Sequence, residues 1–398
     1  MKSRLQLAYF SPLLPVHSGV ADYSSELLPE LAQHADITLF TENPQKIANH
    51  LTQEFSIRPI QDYPETRWQY DMPLYQIGNS SHHEAIYQMF LRYPGIVTLH
   101  DYSLHHFISH RTSGQGHFAG YVRELGYELG TSGIEQARQI RAGEQSHPLF
   151  KIPLNGRLLD LSLGLIVHSQ YAKNLVSSKK SRLHVAVIPQ LIAVHADKSR
   201  RSQLPWPDDA IIFASVGQIT AEKQVDFALR AFQKVRQIIP NAYYLIVGEQ
   251  TGKMDISNTI NSLGLSEWVT LTGHIDNGQE FVDWIYSADI IINLRYPTIG
   301  ETSRTALCAL ALERPLVVFD HGWYSELPDS ACVKIAPLDE AGLAAAMLNL
   351  AQGVEKRQGL GRAGRQYIEQ NCRPALAAKA YAAFIEQQIA YICRTASR

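Results

Sequence analysis

Short aliphatic and β-branched runs alternate along the chain with longer stretches whose apolar positions recur every three to four residues. The runs 5–10 (LQLAYF), 36–40 (DITLF), 73–78 (PLYQIG), 95–101 (GIVTLHD), 163–169 (LGLIVHS) and 183–189 (LHVAVIP) read as strands. A helix is expected after the first run, near residues 23–33, and others after the later runs; 104–161 is expected to be mostly helical, with a weak centre near 131–133. Residues 190–209 (QLIAVHADKSRRSQLPWPDD) break the periodicity with charges, Pro205 and Pro207, as an interdomain linker does. The alternation restarts with strands at 210–217, 242–249, 269–273, 289–294, 315–320 and 332–336. Within it, Val225, Leu229, Phe232 and Val235 lie on one face of a helix over 225–239. A long helix is expected from residue 374 to about 393.

Strand and helix in alternation, twice over, predict two parallel-sheet α/β domains, 1–189 and 210–373, around the 190–209 linker, with 374–398 as a terminal helix. The strand runs are apolar throughout instead of alternating, which suits sheets covered on both faces. The length of 398 residues exceeds one ordinary core and agrees with two domains. A formal net charge of −2 argues against broad nucleic-acid binding. Cys308, Cys332, Cys372 and Cys393 are scattered without a CxxC pair, so no zinc site or disulfide framework is expected. The N-terminus has neither a signal-peptide nor a membrane-span pattern, and a cytoplasmic location is expected.

Ligands of open parallel sheets bind beyond the carboxyl ends of the strands, so the residues just after each run are the candidates. After the first run stand Ser18 and Gly19, ahead of a helix expected to open near Asp22. Free N–H groups at such a helix start suit a phosphate, and a plain capped turn is the alternative. After 95–101 come His100 and Asp101, where His100 could donate to a sugar hydroxyl or a developing charge; a polar strand end closed by local hydrogen bonds is the alternative. The neighbouring His105 and His106 point about 100° apart on a helix and would share a metal poorly. After 210–217 comes Lys223, placed to meet a diphosphate or simply to be solvated. After 242–249 come Gly248 and Glu249; after 289–294 come Arg295, Gly300, Glu301, Thr302 and Ser303. Thr302 or Ser303 suffices as the N-cap of the helix that follows, which leaves the Glu301 carboxylate for two sugar hydroxyls.

The segments SVGQITAEKQVDFALRAF, LGLSEWVTLTGHIDNGQEFVDWIYSAD and PTIGETSRTALCALALERPLVVFD resemble the retaining family 4 glycosyltransferases of GT-B architecture. SGVADYS, YQIGNSSHH and PGIVTLHDYSLHH in the first half resemble one bacterial branch of that family, so the likeness covers nearly the whole chain. The resemblance implies two Rossmann-like doubly wound domains facing across a cleft, the terminal helix returning to the first. It implies Lys223 and Gly217 at the donor diphosphate and Glu301 on the donor sugar, with the Thr302 and Ser303 N–H groups on the phosphates. Ser18 and Gly19 would close over the donor, and His100 and Asp101 would stand at the transferred sugar and the acceptor.

The reaction it implies is metal-independent hexosyl transfer, with retained configuration, from a nucleoside-diphosphate sugar to a carbohydrate or lipid-linked acceptor. Bacterial polysaccharide or glycoconjugate synthesis is the implied setting, in the cytoplasm or at the inner face of the membrane. No cofactor is expected beyond the sugar nucleotide as donor substrate. Two departures from the family pattern stand out: Gln218 replaces the usual basic residue, and Cys308 or Ala309 stands where a second Glu is common, with Glu313 too late. Arg295 or Arg304 are candidates for the missing phosphate charge. The departures keep open a catalytically silent relative; an epimerase on the same architecture is the other rival.

Overall fold

The computed structural model describes residues 4–194, 196–251, 254–275 and 277–396; residues 195, 397 and 398 of the expected linker and terminal helix lie outside the described residues. The chain divides into two compact units, one of residues 1–191, Ile299–Thr302 and 374–398, the other of Ile192–Thr298 and Ser303–Arg373.

The first unit holds a seven-stranded sheet of β1 (Leu5–Phe10), β2 (Ala35–Thr41), β3 (Ser56–Pro59), β4 (Met72–Ile77), β5 (Ile96–Leu99), β6 (Gly164–Val167) and β7 (Val185–Val187). Its order is β3-β2-β1-β4-β5-β6-β7 and every pairing is parallel. The apolar runs are strands because both faces are covered: β5 and β6 are buried at every position. The sequence reading lacks β3, a short edge strand with half-exposed residues and a terminal proline; such an edge carries no apolar run to detect. The first helix begins at Gly19, three residues before Asp22, because Ser18 caps it with its Oγ on the Ala21 N–H. The expected helical stretch resolves into helices His105–Arg111, Phe118–Leu129, Thr131–Arg141 and Gly156–Leu161, and Gly130, at φ 67°, divides the middle pair.

The terminal helix Pro374–Ala396 counts with this unit. Its Tyr381 hydroxyl is bonded to the hydroxyl of Tyr23 on the first helix at 2.8 Å and to Thr98 Oγ1 on β5 at 3.0 Å. All three side chains are buried, so this hydroxyl cluster satisfies polar groups that would otherwise be stranded in the core.

The second unit holds six parallel strands, β8 (Ile211–Val216), β9 (Ala242–Val247), β10 (Val269–Leu271), β11 (Ile290–Ile292), β12 (Leu316–Phe319) and β13 (Cys332–Ile335), in the order β10-β9-β8-β11-β12-β13. Strand order reverses between β8 and β11 here and between β1 and β4 in the first unit. Those are the two switch points at which open α/β sheets hold ligands.

Residues 192–209 pack within this unit instead of running free as a linker. The reason lies in Asp283, 2% exposed, whose Oδ1 accepts the Asp197 N–H at 3.0 Å while its other oxygen faces Arg200 at 3.7 Å. Arg201 pairs with Asp289 at 3.0 Å, and Trp206 stacks on Tyr243. The charges of this stretch are thus pinned by one buried and one partly buried carboxylate. Asp283→Ala strands the backbone donors and a largely buried guanidinium, and is expected to lower unfolding free energy by about 3 kcal/mol in urea denaturation. Asp283→Asn, which keeps an acceptor, should lose less.

Candidate functional site

In the second unit the polypeptide leaves β8 at Gly217 and β9 at Gly248, both at positive φ, 100° and 129°. A Cβ on Gly248 would stand 2.5 Å from the Gly217 carbonyl oxygen, and one on Gly217 would stand 2.4 Å from the Lys223 ammonium. Only glycine permits this approach. The Gly217 N–H is already given to the Val247 carbonyl, so its contribution is space and not a donor. Lys223 sits in the 3-10 turn that Gln224, itself at φ 53°, closes ahead of helix Val225–Ile238.

Lys223, Gly217, Ser215 and Asn293 line a cavity of about 10 Å³, room for about one water. The Lys223 ammonium reaches the Val216 carbonyl at 3.4 Å. The residue keeps some surface, but crowding protein atoms, with the charge of Arg295 as a second cause, push it down to about 7 from 10.5. Two cations, with no carboxylate paired to Lys223 among the described residues, make this an anion-seeking corner.

Helix Arg304–Ala311 points its start at the same corner, with Thr305 Oγ1 3.8 Å from where a Gly217 Cβ would lie. Ser303 is the N-cap: its Oγ accepts from Ala306 N–H at 3.2 Å and donates to Asn293 Oδ1 at 3.2 Å. The Tyr324 hydroxyl donates to the same Asn293 oxygen at 2.6 Å. Asn293, Thr305 and Tyr324 are absent from the sequence candidates. Asn293 has a legible signal, an amide that follows three isoleucines in a buried strand; Tyr324 has none, because only the fold brings it there.

Glu249 is about half-exposed and pairs with His274 at 3.3 Å. Helix 304–311 turns Cys308 and Ala309 into the core, at 2% and 0% exposure, so neither position could have offered a side chain to a ligand without changing that packing. Glu313 lies next to Arg314 and Pro315 at the amino-terminal end of β12, the opposite edge of the sheet from Gly217, and does not substitute for the missing carboxylate.

In the first unit Glu301, 9% exposed, accepts the Ile299 N–H on Oε2 at 2.8 Å. The Ser103 N–H donates to Ile299 O at 2.9 Å, and Thr302 donates to the Gln190 side chain. Gly300, at φ 81°, lies against Tyr102, where a Cβ would approach to 2.5 Å. Thus Gly300, Glu301 and Thr302 are held together with the residues that follow β5. Beside the first helix, the space a Gly19 Cβ would fill is open.

His100 is not the open donor its position suggests. His168 Nδ1–H donates to the Ile188 carbonyl at 2.9 Å, so His168 Nε2 accepts, and His100 Nδ1–H donates to it at 3.1 Å. His100 Nε2 is then an acceptor, 2.9 Å from the Gln76 side-chain amide. That amide must turn its N–H to the ring, which also gives a partner to a Gln76 nitrogen otherwise buried without one. Both nitrogens of His100 are engaged, and burial, then His168 and His83, hold it well below the ordinary histidine range.

Asp101 Oδ2 accepts the Asn79 N–H at 2.8 Å. His83, pushed by burial to about 4, stands close by: a Cβ on Gly78 would lie 3.1 Å from its ring and 3.3 Å from Asp101 Oδ2. His105 and His106 part company as their spacing predicts, His105 turning to Ile152 and Tyr121 and His106 to Asn79. Among the described residues no three His, Cys, Asp or Glu side chains are grouped to hold a metal ion, and no helix is long and apolar enough to cross a membrane.

His83, His105 and His168 are neutral in the fold with values near 4, against 6.5 unfolded. The unfolded chain binds more protons between those limits, so stability is full above about pH 6.5 and is lost as pH falls toward 4. The thermal midpoint should drop across that window, and His83→Gln should make the drop shallower by about one proton.

Residues 210–353 match the family model described as glycosyl transferases group 1. The alpha-D-kanosaminyltransferase of Streptomyces kanamyceticus is 26% identical over 191 residues, 47% of this chain and 46% of that protein, so the chain spans under half the length of this curated relative. Sucrose-phosphate synthase from Thermosynechococcus elongatus superposes with a TM-score of 0.64 at 16% identity, covering 98% of this chain and 100% of that one. Anabaena HepE, solved in complex with UDP and glucose, superposes at 0.64 with 14% identity over 96% and 100% of the two chains. The chain therefore has the fold of the GT-B glycosyltransferases, two parallel-sheet α/β units, and the match to the group 1 glycosyl transferase model falls in the second of them.

Proposed function

We propose that the protein is a retaining, metal-independent glycosyltransferase that moves a hexosyl group from a nucleoside-diphosphate sugar to a carbohydrate or lipid-linked acceptor. The observation that carries this reading is the corner formed by Gly217, Lys223, Arg295 and the Ser303-capped helix at the β8/β11 switch point. A crowded ammonium beside a second cation gains most from a dianionic partner, and the helix start adds N–H donors and partial positive charge. HepE was solved with UDP, which makes UDP the first ligand to try here.

In the proposed reaction the bond between the sugar's anomeric carbon and the diphosphate oxygen breaks, and the acceptor oxygen bonds to that carbon on the same face. The acceptor proton passes to the departing phosphate oxygen. Lys223, Arg295 and the helix start stabilise the charge that develops on the leaving group, and positioning supplies the rest. Glu301 holds sugar hydroxyls. Asp101, held by the Asn79 N–H, orients the acceptor. His100, tied at both nitrogens, serves as a rigid neutral wall instead of a proton carrier.

UDP at about 100 times its dissociation constant should add roughly 2.7 kcal/mol to stability. In Lys223→Ala the thermal shift should vanish and transfer should fall by at least about a hundredfold. Sugar-nucleotide binding without any transfer or hydrolysis, in the presence of candidate acceptors, would favour the silent-relative reading.

The cationic form of Lys223 is the one a diphosphate selects, so UDP affinity should weaken as pH rises through about 7, with proton uptake on binding rising toward one above it. Titration calorimetry in buffers of different ionisation enthalpy reads this directly. In Lys223→Met the pH dependence above 7 should flatten, and an unchanged profile would remove Lys223 from the phosphate site.

A further inference from the structure

A second pocket, about 340 Å³, lies in the first unit at the carboxyl ends of β1 and β2, beside the β1/β4 switch point. Its size is at the lower end of small-molecule sites. Leu13, Ile47, Ile60 and Ile86, all buried, make its floor. Glu42, Lys46 and His82, all exposed, stand at its mouth. The buried hydroxyl of Ser11 is consumed internally by Pro12 O and Ser24 Oγ, so the floor itself is aliphatic, and the polar groups of the lining, Thr41, Asn43 and Ser81, stand around it.

A polyhydroxylated ring placed on such a floor loses water from hydroxyls that find no partner there. A bare sugar is therefore a poor fit, and an aliphatic or ring-shaped apolar body is a good one. Charge narrows the class further. One lysine offset by one glutamate leaves the mouth without the cationic excess that a phosphate-linked lipid would need. The pocket also shares a chain segment with the candidate acceptor group. Ser81 and His82 on its wall come two and three residues after Asn79, whose N–H holds Asp101.

We infer that the acceptor is an uncharged amphipathic alcohol, its apolar body in the Leu13–Ile60–Ile86 pocket and its hydroxyl end at the polar mouth. This rests on the transferase reading above. It excludes both a free sugar and a lipid phosphate as occupant of this pocket.

The test uses the full chain and three probes below their aggregation concentrations: methyl glucoside, octyl glucoside and octyl phosphate. Calorimetry should show octyl glucoside binding at least about tenfold tighter than methyl glucoside, since buried methylenes add affinity. Octyl phosphate should bind no tighter than octyl glucoside. Val16 lines the pocket from a half-exposed loop position, so Val16→Asp should abolish octyl binding without unfolding the protein, while Leu376→Asp, on the exposed start of the terminal helix, should leave it unchanged.

Equal affinity for the two glucosides, no binding of either, tighter binding of the phosphate, or octyl binding that survives Val16→Asp each overturns the inference. The UDP stabilisation read on the same preparation separates the two claims. UDP binding without octyl binding sinks the acceptor class alone, and octyl binding without any UDP effect sinks the transferase reading on which the acceptor role depends.

Discussion

The candidate donor site depends on one tight approach: the ends of β8 and β9 come so close that a Cβ on Gly248 would meet the Gly217 carbonyl oxygen, while the Lys223 ammonium occupies the space a Gly217 Cβ would take. A lysine so enclosed is costly to keep charged, and its drop toward neutrality is the physical sign of that cost. The arrangement is unfavourable for an empty protein and favourable for one that meets a diphosphate. Asn293, Ser303 and Tyr324 hold the facing helix start to the end of β11 through a shared acceptor oxygen, so the helix N-terminus is fixed before any ligand arrives.

In the first unit the dominant constraint is the satisfaction of buried polar groups. A proton-donor order runs from Gln76 through His100 and His168 to the Ile188 carbonyl, and it admits only neutral rings. The same region holds the Tyr23–Tyr381–Thr98 hydroxyl cluster, through which the terminal helix is tied to the first helix and to β5. A polar core of this kind fixes one arrangement because any other leaves a donor or acceptor stranded. That rigidity would serve the proposed reaction beside Asp101 and the Asn79 loop, since transfer is fast only when the reacting groups are closely positioned.

Much of the fold was legible because parallel strands covered on both faces write themselves as unbroken apolar runs. Twelve of the strands fall on such runs, within a residue or two at each end, and the exception, β3, is an exposed edge. The helix start near Asp22 was misplaced by three residues because the Ser18 cap outweighs the later acidic residue. The 190–209 stretch was the larger departure. Its prolines and charges look like solvent-exposed linker, and no local pattern reveals that Asp283, some eighty residues on, draws its backbone into the second unit.

By itself the sequence determined the alternating α/β pattern, the two sheets, and the chemistry available just past the strand ends: Lys223, Glu301, His100, Asp101 and the glycines between them. Those are local properties, since strand periodicity, capping and turn residues act over a few positions. Only the tertiary structure decided what each group can still do. It tied both nitrogens of His100, turned Cys308 and Ala309 into the core, brought Asn293, Thr305 and Tyr324 to the helix that faces Lys223, and set an aliphatic floor beneath a polar mouth beside β1. Burial, hydrogen-bond partnership and the resulting shifts in charge depend on residues far apart in the chain, and a one-dimensional pattern does not record which of them meet.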